Sequence, residues 1–272
     1  MTHSVDLTAK ATAFAALHTP AAPLALANVW DVAGARIAEA AGAPAVATTS
    51  AGVAWSLGAP DGDALARDRA LDLIARVASA VSVPVTADIE GGFGADAAAV
   101  GETVTGVLAA GAVGVNIEDG DRSPAEHAER LAAARAAAEA AGVPLYVNAR
   151  VDTYLRGLGA PEGRLDETLA RAAAYLGAGA SGIFVPGVTD PDVLAELAKG
   201  IDAPLNVLAG PGAPPVAALG ALGVARVSLG SWVAEAAYAL VRRATEELLA
   251  GGTYGSLTGA LPYGEVNALL KG

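Results

Sequence analysis

Eight short apolar segments, separated by longer alanine-rich stretches, set the strongest limit on how this chain can fold. The short segments are rich in Val, Ile and Leu, which is typical of parallel strands buried on both faces. The alanine-rich stretches carry Glu and Arg at helical spacing, which is typical of helices that cover a sheet. The predicted strands are Leu24 to Asn28, Ala45 to Thr49, Val83 to Asp88, Val113 to Glu118, Leu145 to Arg150, Gly182 to Val185, Leu205 to Leu208, and Val224 to Leu229. This alternation predicts an α/β fold built on a parallel sheet.

The junctions between predicted helices and strands repeat one pattern. A helix ends in Ala-Gly or a similar pair, and a small residue or proline then precedes the strand, as in Ala41-Gly42-Ala43-Pro44 and Ala141-Gly142-Val143-Pro144. Glycine ends a helix in the left-handed conformation, and proline cannot extend it. Eight strands with this punctuation predict a TIM-type (β/α)8 barrel, with a doubly wound open sheet as the alternative. No G-x-G-x-x-G follows the first strand, which counts against a dinucleotide-binding fold.

The chain shows no linker or low-complexity break, so we expect one domain over residues 1–272. A helix over roughly Asp6 to His18 is predicted before the first strand. The stretch from Ser231 to Ala250 and on to Lys271 supplies more helix than one barrel needs. Because extra C-terminal helix often packs on a neighbouring subunit, we expect a homo-oligomer.

Composition excludes several classes of protein. The chain has no cysteine, which excludes a disulfide scaffold, a zinc–thiolate site and a thiol nucleophile. Its net charge of -12 argues against a nucleic-acid partner, because phosphate contacts require a basic patch. No apolar run reaches the roughly 18 residues of a membrane helix. Asp6, Lys10 and two prolines disfavour a signal peptide near residues 11–27, so we expect a cytoplasmic protein with no membrane partner.

Polar residues gather at the C-terminal ends of the predicted strands, where barrel active sites lie. Asp88 ends the third strand with Glu90 just after it, Glu118 ends the fourth, and Arg150 ends the fifth. Carboxylates at a barrel mouth are costly unless they are paired or bind a metal ion. Three such oxygen donors without imidazole or thiolate favour Mg²⁺, with Mn²⁺ as the alternative. Arg150 would pair with these carboxylates or bind an anionic substrate bidentately.

Each of these residues also has a purely structural interpretation. An acidic residue after a strand is often a helix N-cap, which is an alternative for Asp31, Asp119 and Asp152. Glu90 could lie in a solvated loop. Buried amides that are satisfied within the barrel are the alternative for Asn116, Asn148 and Asn206.

Three motifs in combination resemble the isocitrate lyase/phosphoenolpyruvate mutase superfamily. They are Ala87-Asp88-Ile89-Glu90-Gly91-Gly92-Phe93-Gly94, Val115-Asn116-Ile117-Glu118-Asp119 and Asn148-Ala149-Arg150-Val151-Asp152, supported by Thr48-Thr49-Ser50 and Ser56-Leu57-Gly58-Ala59-Pro60-Asp61. The matches lie between residues 28 and 152 and follow the family's order. The resemblance implies a (β/α)8 barrel, commonly with a C-terminal helix exchanged between subunits of a dimer-of-dimers tetramer.

The resemblance also implies Mg²⁺, a 2-oxo acid, and a C–C or P–C bond made or broken beside the oxo group. Residues 49–51 would cradle a substrate carboxylate, partly through backbone N–H groups, and Arg150 would clamp the oxo-acid end. The metal residues that it implies are Asp88, Glu90 and Glu118. The catalytic residues are Asp61, Glu118 and Arg150, and the substrate-binding residues are Thr49, Ser50, Ala51, Asp88, Arg150 and Asn206.

The segment after the fourth strand departs from the family. Where its lyases carry Lys-Arg-Cys-Gly-His, this chain has Gly120-Asp121-Arg122-Ser123 and then Pro124, which is expected to open a helix. The family's Asp-x-Asp metal motif is Asp88-x-Glu90 here. The family's proton donor is therefore missing. The remaining candidates are His127, which is expected on a solvated helix face, Tyr154 and Asp121.

These residues favour a Mg²⁺-dependent lyase or decarboxylase that acts on a small 2-oxo or 2-hydroxy di- or tricarboxylic acid. A metal ion that polarises the carbonyl would stabilise the enolate, and water would suffice to protonate it after oxaloacetate decarboxylation. The first alternative is a phosphonopyruvate hydrolase or mutase, with the phosphonate near Ala209–Gly212 and Ser228–Ser231. The second is a barrel that binds 2-oxo acids with little turnover.

Overall fold

The predicted strands form one parallel sheet that curls into a barrel. The computed structural model describes residues 7–271. The strands of these residues are β1 (Leu24–Leu26), β2 (Asn28–Val29), β3 (Val46–Thr48), β4 (Val85–Asp88), β5 (Gly114–Glu118), β6 (Tyr146–Arg150), β7 (Gly182–Val185), β8 (Leu205–Leu208) and β9 (Val224–Ser228). The α-helices are α1 (Leu7–Ala16), α2 (Val32–Ala40), α3 (Ser50–Ser56), α4 (Arg67–Ala80), α5 (Ala97–Ala109), α6 (Pro124–Ala140), α7 (Arg164–Gly177), α8 (Pro191–Gly200), α9 (Val216–Ala221), α10 (Trp232–Gly251) and α11 (Tyr263–Leu269).

The first predicted strand is split in two, and this split closes the barrel. β1 and β2 lie on either side of Ala27; β1 pairs in parallel with β9, and β2 pairs in parallel with β3. The order β1-β9-β8-β7-β6-β5-β4-β3-β2 therefore returns the sheet to the strand from which it began. The prediction of a (β/α)8 barrel is confirmed, and the open sheet is excluded because an open sheet leaves its outer strands apart.

The side chain of Asn28 adds hydrogen bonds to the backbone pairing where the barrel closes, called here the seam. Its Nδ2 donates to the carbonyl of Thr48 at 2.9 Å, beside β2. Its Oδ1 accepts from the backbone N–H groups of Leu229 at 3.1 Å and Gly230 at 2.9 Å, just after β9. The residue is buried, so these hydrogen bonds form away from water. One amide side chain of β2 thus joins β3 to the end of β9.

The Ala-Gly junctions adopt the predicted conformation. Gly42 has φ +92° and Gly142 has φ +68°, which is the left-handed region where residues with a Cβ are strained. The N–H of Gly42 donates to the carbonyl of Glu39 at 2.9 Å, and that of Gly142 to the carbonyl of Glu139 at 3.0 Å. These bonds end α2 and α6 and turn the chain back towards the next strand.

A buried polar layer, called here the amide layer, crosses the barrel near the C-terminal ends of the strands. Asn148 donates through Nδ2 to Oδ1 of Asn116 at 2.9 Å, and Ser228 donates to Oδ1 of Asn206 at 3.1 Å. Because side chains alternate along a strand, Glu118 and Arg150 lie two residues nearer the mouth than the asparagines on their own strands. The members of the layer are Asn116, Asn148, Asn206, Arg226 and Ser228, all of them buried.

The N-terminal helix packs against the start of β6. Phe14 of α1 is buried and meets the ring of Tyr146 edge-on, with the ring centroids 5.6 Å apart. His18 stacks on the same ring at 3.9 Å. The predicted N-terminal helix is confirmed over Leu7–Ala16, while its first predicted residue, Asp6, lies outside the described residues.

The C-terminal helices leave an apolar face uncovered. α10 confirms the predicted helix after the last strand, and α11 contacts α2. Val241 is 62% exposed and Leu249 is 81% exposed along α10. Within residues 7–271, no helix combines the length and apolarity needed to span a bilayer. The assignment of residues 1–272 to one domain stays a prediction.

Candidate functional site

A pocket of about 170 Å³ opens at the C-terminal mouth of the barrel. This volume is well below the roughly 300–1,000 Å³ of drug-sized ligand sites, so the pocket suits a small molecule. Half of the lining residues are polar, and this set is called here the polar wall: Thr49, Ser50, Asp61, Asp88, Arg150 and Ser231. The remaining lining residues are Ala51, Leu155, Phe184, Pro186, Leu208 and Gly230. The structure therefore brings six of the predicted site residues together, namely Thr49, Ser50, Ala51, Asp61, Asp88 and Arg150.

Asp88 is held by its neighbours so that its carboxylate faces the pocket. Its Oδ2 accepts from Ser50 Oγ at 3.2 Å, and its Oδ1 accepts from the N–H of Glu90 at 3.3 Å. Its own N–H donates to Thr48 Oγ1 at 2.9 Å. Burial raises the pKa of Asp88, while the charge of Arg150 acts in the opposite direction. The side chain is thus a fixed oxygen donor at the base of the pocket.

Arg150 is clamped between two carboxylates. Its Nε and Nη2 donate to the two oxygens of Asp152 at 2.6 and 3.1 Å, and its Nη1 contacts Oε2 of Glu118. Burial would lower the pKa of Arg150, but Glu118, Asp152 and Asp88 together raise it, so the group stays charged. Three of its five N–H donors are used in these contacts, which leaves two for a bidentate bond to a substrate carboxylate.

Glu118 lies behind Arg150 and outside the lining of the pocket. Burial raises the pKa of Glu118 to about 8, with Arg150 opposing and Asp88, Asp152 and Asp61 adding to the rise. The predicted pairing of Arg150 with the carboxylates of the barrel mouth is therefore observed. Asp88 and Glu118 would hold a metal ion here, directly or through water.

Asp119 and Asp152 are buried supports of this pair and cap no helix. Asp119 accepts from the hydroxyl of Tyr175 at 2.7 Å, from Arg171 Nη1 at 2.9 Å and from the N–H of Asp152 at 2.9 Å. These bonds fix the backbone of Asp152, whose carboxylate in turn holds Arg150. The N-cap alternative is excluded for both residues. For Asp31 it is confirmed, since its Oδ1 accepts from the N–H of Gly34 at 2.6 Å at the start of α2.

Glu90 is buried beside Asp88 but turns its carboxylate towards a neighbouring loop. Its Oε2 accepts from the N–H of Gly62 at 3.0 Å and from the N–H of Asp63. Burial raises its pKa to about 7; the bond from Asp63 opposes this rise, and the charges of Asp61, Asp63 and Asp88 add to it. Glu90 is therefore not a solvated loop residue, and it does not line the pocket.

The acidic set at the mouth suits a hard divalent cation. Within the described residues, no three Asp, Glu, His or Cys side chains form a ready-made metal cage. Mg²⁺ does not require one, because it is usually held by one or two carboxylates, with water and substrate oxygens completing its shell. Four carboxylates gather at the mouth, those of Asp61, Asp88, Glu90 and Glu118; Arg150 opposes the charge of Asp88 and Glu118, and Arg226 also interacts with Asp88. The largely buried carboxylates of Asp88 and Glu118 therefore form a donor set that fits Mg²⁺ or Mn²⁺.

Arg226 is a buried cation that the sequence analysis missed. It is 0% exposed in the amide layer, where Nε donates to Ser228 at 3.2 Å and Nη2 to Asn116 at 3.4 Å. Burial lowers its pKa to about 10. The available signal was an arginine at an alternate position to Ser228 within an otherwise apolar strand. Asn206, predicted to bind substrate, lies in the same layer and not in the lining of the pocket.

His127 is buried, and its expected place on a solvated helix face is wrong. It is 0% exposed because α6 packs between α5 and α7, and its ring meets Tyr175 edge-on at 4.6 Å. Burial, together with the charges of nearby arginines, lowers its pKa to about 3. Of the other proton carriers considered, Asp121 pairs with Arg156 on an exposed loop, and Tyr154 lies beside the pocket residue Leu155 without lining the pocket itself. As predicted, Pro124 opens α6.

A family model described as phosphoenolpyruvate phosphomutase matches residues 14–249. The chain belongs to the phosphoenolpyruvate mutase/isocitrate lyase superfamily. Among its relatives, 2-methylisocitrate lyase of Escherichia coli strain K12 is 34% identical over 208 residues, covering 71% of this chain and 67% of that protein. The predicted class, a lyase of this superfamily, agrees with such relatives.

Solved structures share the whole barrel. A protein of Burkholderia cenocepacia J2315, provisionally assigned as a lyase or mutase, is 40% identical with a TM-score of 0.88, covering 96% of this chain and 95% of that one. A phosphonopyruvate hydrolase solved with oxalate and Mg²⁺ is 28% identical with a TM-score of 0.81, covering 96% of this chain and 94% of that one. The superfamily thus includes both C–C and P–C enzymes that act on carboxylates.

Proposed function

We propose that this protein is a Mg²⁺-dependent lyase or decarboxylase that breaks a C–C bond of a small 2-oxo or 2-hydroxy di- or tricarboxylic acid. The observation that supports this proposal best is the polar wall of the pocket, where Asp88 and Arg150 face the same 170 Å³ space. Asp88 is suited to a metal ion and Arg150 to a carboxylate. A superfamily structure contains Mg²⁺ with oxalate, a small dicarboxylate, which adds support.

Some residues of the site would bind the substrate, and others would hold the metal ion. Arg150 would hold the substrate carboxylate with its two remaining N–H donors, and residues 49–51 would hold a second oxygen. Asp88 and Glu118 would hold the metal, directly or through water, and Asp61 would support them or carry a proton. Bound Mg²⁺ would supply the positive charge that stabilises the charge developing on the 2-oxo acid.

The short loop after β5 favours a reaction that needs little general acid–base catalysis. Its charged residues are engaged: Arg122 lies 3.6 Å from Asp63, and Asp121 pairs with Arg156. A cysteine is absent from the sequence, so a lyase would need another proton donor. Decarboxylation places the smallest demand on these residues, because water can protonate the product.

The P–C branch is the second candidate. Gly230 and Ser231 line the pocket beside Arg150, at the end of the barrel where phosphate groups are often bound. A phosphonopyruvate hydrolase is among the superfamily structures that match the whole chain. Such an enzyme would release pyruvate and phosphate, which distinguishes it from a C–C lyase.

The test is a product assay with Mg²⁺ on four acids: oxaloacetate should give pyruvate and CO₂, 2-methylisocitrate pyruvate and succinate, phosphonopyruvate pyruvate and phosphate, and isocitrate glyoxylate and succinate. We expect turnover to fall by at least about 10–100-fold in Asp88→Ala and in Arg150→Ala, since each loses a charged contact. Arg156→Ala, on an exposed loop, is the matched control. Turnover that survives in Asp88→Ala and needs no metal would refute the proposal, and 2-oxo acid binding without turnover would favour a binding barrel.

We also propose a homo-oligomer, a dimer or tetramer, in which a second copy covers the exposed apolar face of α10. Large exposed apolar faces are uncommon on monomers. An apolar groove of about 520 Å³ between α2 and the outer faces of β1 and β9 is a second uncovered surface. Light scattering should give a multiple of 26.6 kDa, and Leu249→Glu should shift it towards the monomer. A parent protein that is monomeric at micromolar concentration would contradict this proposal.

A further inference from the structure

The loop that carries Asp61 has no regular secondary structure, yet it places Asp61 in the lining of the pocket. Directly after Asp61, Gly62 has φ +99° and Asp63 has φ +58°. The N–H groups of these two residues point to the same side of the loop, since both donate to one carboxylate oxygen. The loop therefore needs an acceptor at this point.

Glu90 supplies that acceptor from the neighbouring loop. A single carboxylate oxygen, Oε2, accepts from the N–H groups of both Gly62 and Asp63. Glu90 is 2% exposed, so these hydrogen bonds are shielded from water and each counts for more than on the surface. The contact joins residues that are 28 and 27 positions apart in the sequence.

The backbone of Glu90 is fixed for this task. Among the described residues other than glycine, positive φ angles occur only at Asp63, Glu90 and Phe93, in the two loops that meet at this contact. Glu90 has φ +52°, and its N–H and carbonyl bond to Asp88 Oδ1 and to the N–H of Glu118. Such strain persists only where the surroundings impose it, and it is concentrated at functional sites.

The length of the side chain is what permits the contact. An aspartate at position 90 would be shorter by one methylene group, or about 1.5 Å. From the same backbone it would leave a gap well beyond a hydrogen bond to the N–H of Gly62, which lies 3.0 Å from Glu90 Oε2. The contact therefore depends on the longer side chain.

We propose that Glu90 is a positioning residue that anchors the Asp61 loop over the pocket, and that it is not a ligand of the metal. The proposal rests on the proposed function only for the role of Asp61 beside the bound acid. The anchoring itself is a property of the metal-free chain. The two roles make opposite demands on the side chain, because anchoring needs its length and metal ligation needs its charge.

Two substitutions separate these demands. Glu90→Gln keeps the length and a carbonyl acceptor but removes the charge. Glu90→Asp keeps the charge but removes the reach. Glu39→Asp is the matched control: Glu39 Oε1 accepts from the N–H groups of Ser82 at 2.7 Å and Val83 at 3.3 Å, at the opposite end of the barrel.

Hydrogen exchange of the metal-free full-length proteins is the first measurement. We expect the amides of residues 62 and 63 to exchange at least about tenfold faster in Glu90→Asp than in the parent, and within about threefold of the parent in Glu90→Gln. Glu39→Asp should affect residues 82 and 83 and leave residues 62 and 63 unchanged. Unchanged exchange at residues 62 and 63 in Glu90→Asp would overturn the proposal.

Mn²⁺ affinity, measured by calorimetry, is the second measurement. We expect both Glu90 variants to bind Mn²⁺ within about threefold of the parent. A loss of more than about tenfold in Glu90→Gln, with parental affinity in Glu90→Asp, would make Glu90 a metal ligand and overturn the proposal. If the parent binds no Mn²⁺, the proposed function fails, and the exchange experiment still decides the anchoring.

Oxalate affinity in the presence of Mn²⁺ tests whether Glu90 acts through Asp61. We expect Glu90→Asp to change the Kd by at least about threefold in the parent and by much less in an Asp61→Asn background. Glu39→Asp should change it in neither. An equal effect in both backgrounds would mean that Glu90 acts on the pocket by another route, and the positioning role would be wrong.

Discussion

Replacing Arg226 by methionine should stabilise the protein, even though the substitution removes hydrogen bonds from the core. Arg226 is fully buried, and no carboxylate of the described residues pairs with it in a salt bridge. Its Nη1 also has no hydrogen-bond partner there. A buried charge without a partner is costly, and an apolar residue of similar volume often replaces such a charge with a gain in stability.

The expected gain in the free energy of unfolding depends on the cost of burying the Arg226 charge and on the groups to which Arg226 donates. Burial lowers the pKa of Arg226 from 12.5 to about 10, although Tyr146 and Asp88 act in the opposite direction. At about 1.4 kcal/mol per pKa unit, this shift corresponds to roughly 3 kcal/mol of unfavourable free energy. Its two acceptors stay satisfied, since Asn116 Oδ1 also accepts from Asn148 and Ser228 also bonds to Asn206. We expect the free energy of unfolding to rise by about 1–3 kcal/mol.

Arg130→Met is the matched control, because Arg130 is also buried and also has one nitrogen, Nε, without a hydrogen-bond partner in the described residues, but its Nη2 lies 3.6 Å from the carboxylate of Glu126. Its guanidinium donates to the carbonyls of Gly91 at 3.2 Å, Gly94 at 2.8 Å and Ala95 at 2.8 Å. Removing it leaves these three carbonyls without that donor, which should cost about 3–5 kcal/mol. The same substitution at two buried arginines should therefore change stability in opposite directions.

The assay is thermal unfolding of the metal-free proteins at pH 7 and one fixed protein concentration, supported by urea unfolding. A gain of 1–3 kcal/mol should raise the Tm of Arg226→Met by roughly 2–10 °C, while Arg130→Met should lower it. A loss of more than about 1 kcal/mol in Arg226→Met would refute the reasoning, because Arg226 would then have a compensating partner such as a bound anion.

The free energy of unfolding should also depend on the buried histidines and on a buried tyrosine. The pKa values of His127 and His18 are lowered to about 3 and 4, so between these values and pH 6.5 the unfolded chain binds more protons and stability falls as the pH falls. In pH-dependent urea unfolding, His127→Phe should reduce this slope by about 1.4 kcal/mol per pH unit between pH 5 and 6.5; an unchanged slope would mean that His127 is accessible to protons. Tyr175→Phe removes the 2.7 Å bond to Asp119 and should cost about 1–3 kcal/mol in the same assay, and a cost near zero would show that Arg171 suffices.

The barrel and the main residues of the pocket could be predicted because both follow from short-range regularities. Parallel strands place their C-terminal ends at one mouth, so residues that end neighbouring strands, such as Asp88, Glu118 and Arg150, must lie close together. The alternation of side chains along a strand then decides which of them point inwards. Both predictions can be made without knowing the conformation of any loop.

The partners of individual side chains could not be predicted, because they depend on loop geometry and packing. The turn of Glu90 towards Gly62 depends on left-handed residues in two loops that are distant in sequence. The burial of His127 had a local signal, since Leu131, Ala134 and Ala138 follow it at helical spacing and are buried with it. The charged residues between these apolar positions made the buried face of α6 hard to recognise in the sequence.

The closure of the barrel at its seam determines when the pocket can form during folding. Gly230 lines the pocket, and its N–H is held by Asn28, which lies 202 positions earlier in the sequence. Contacts over such a separation form only after most of the chain has been synthesised, and their loop-closure entropy makes them slow. A growing chain can therefore present Asp88 and Arg150 on a partial sheet, but it cannot enclose a ligand until its last strand meets its first. The lining of the pocket is thus complete only after β9 has paired with β1.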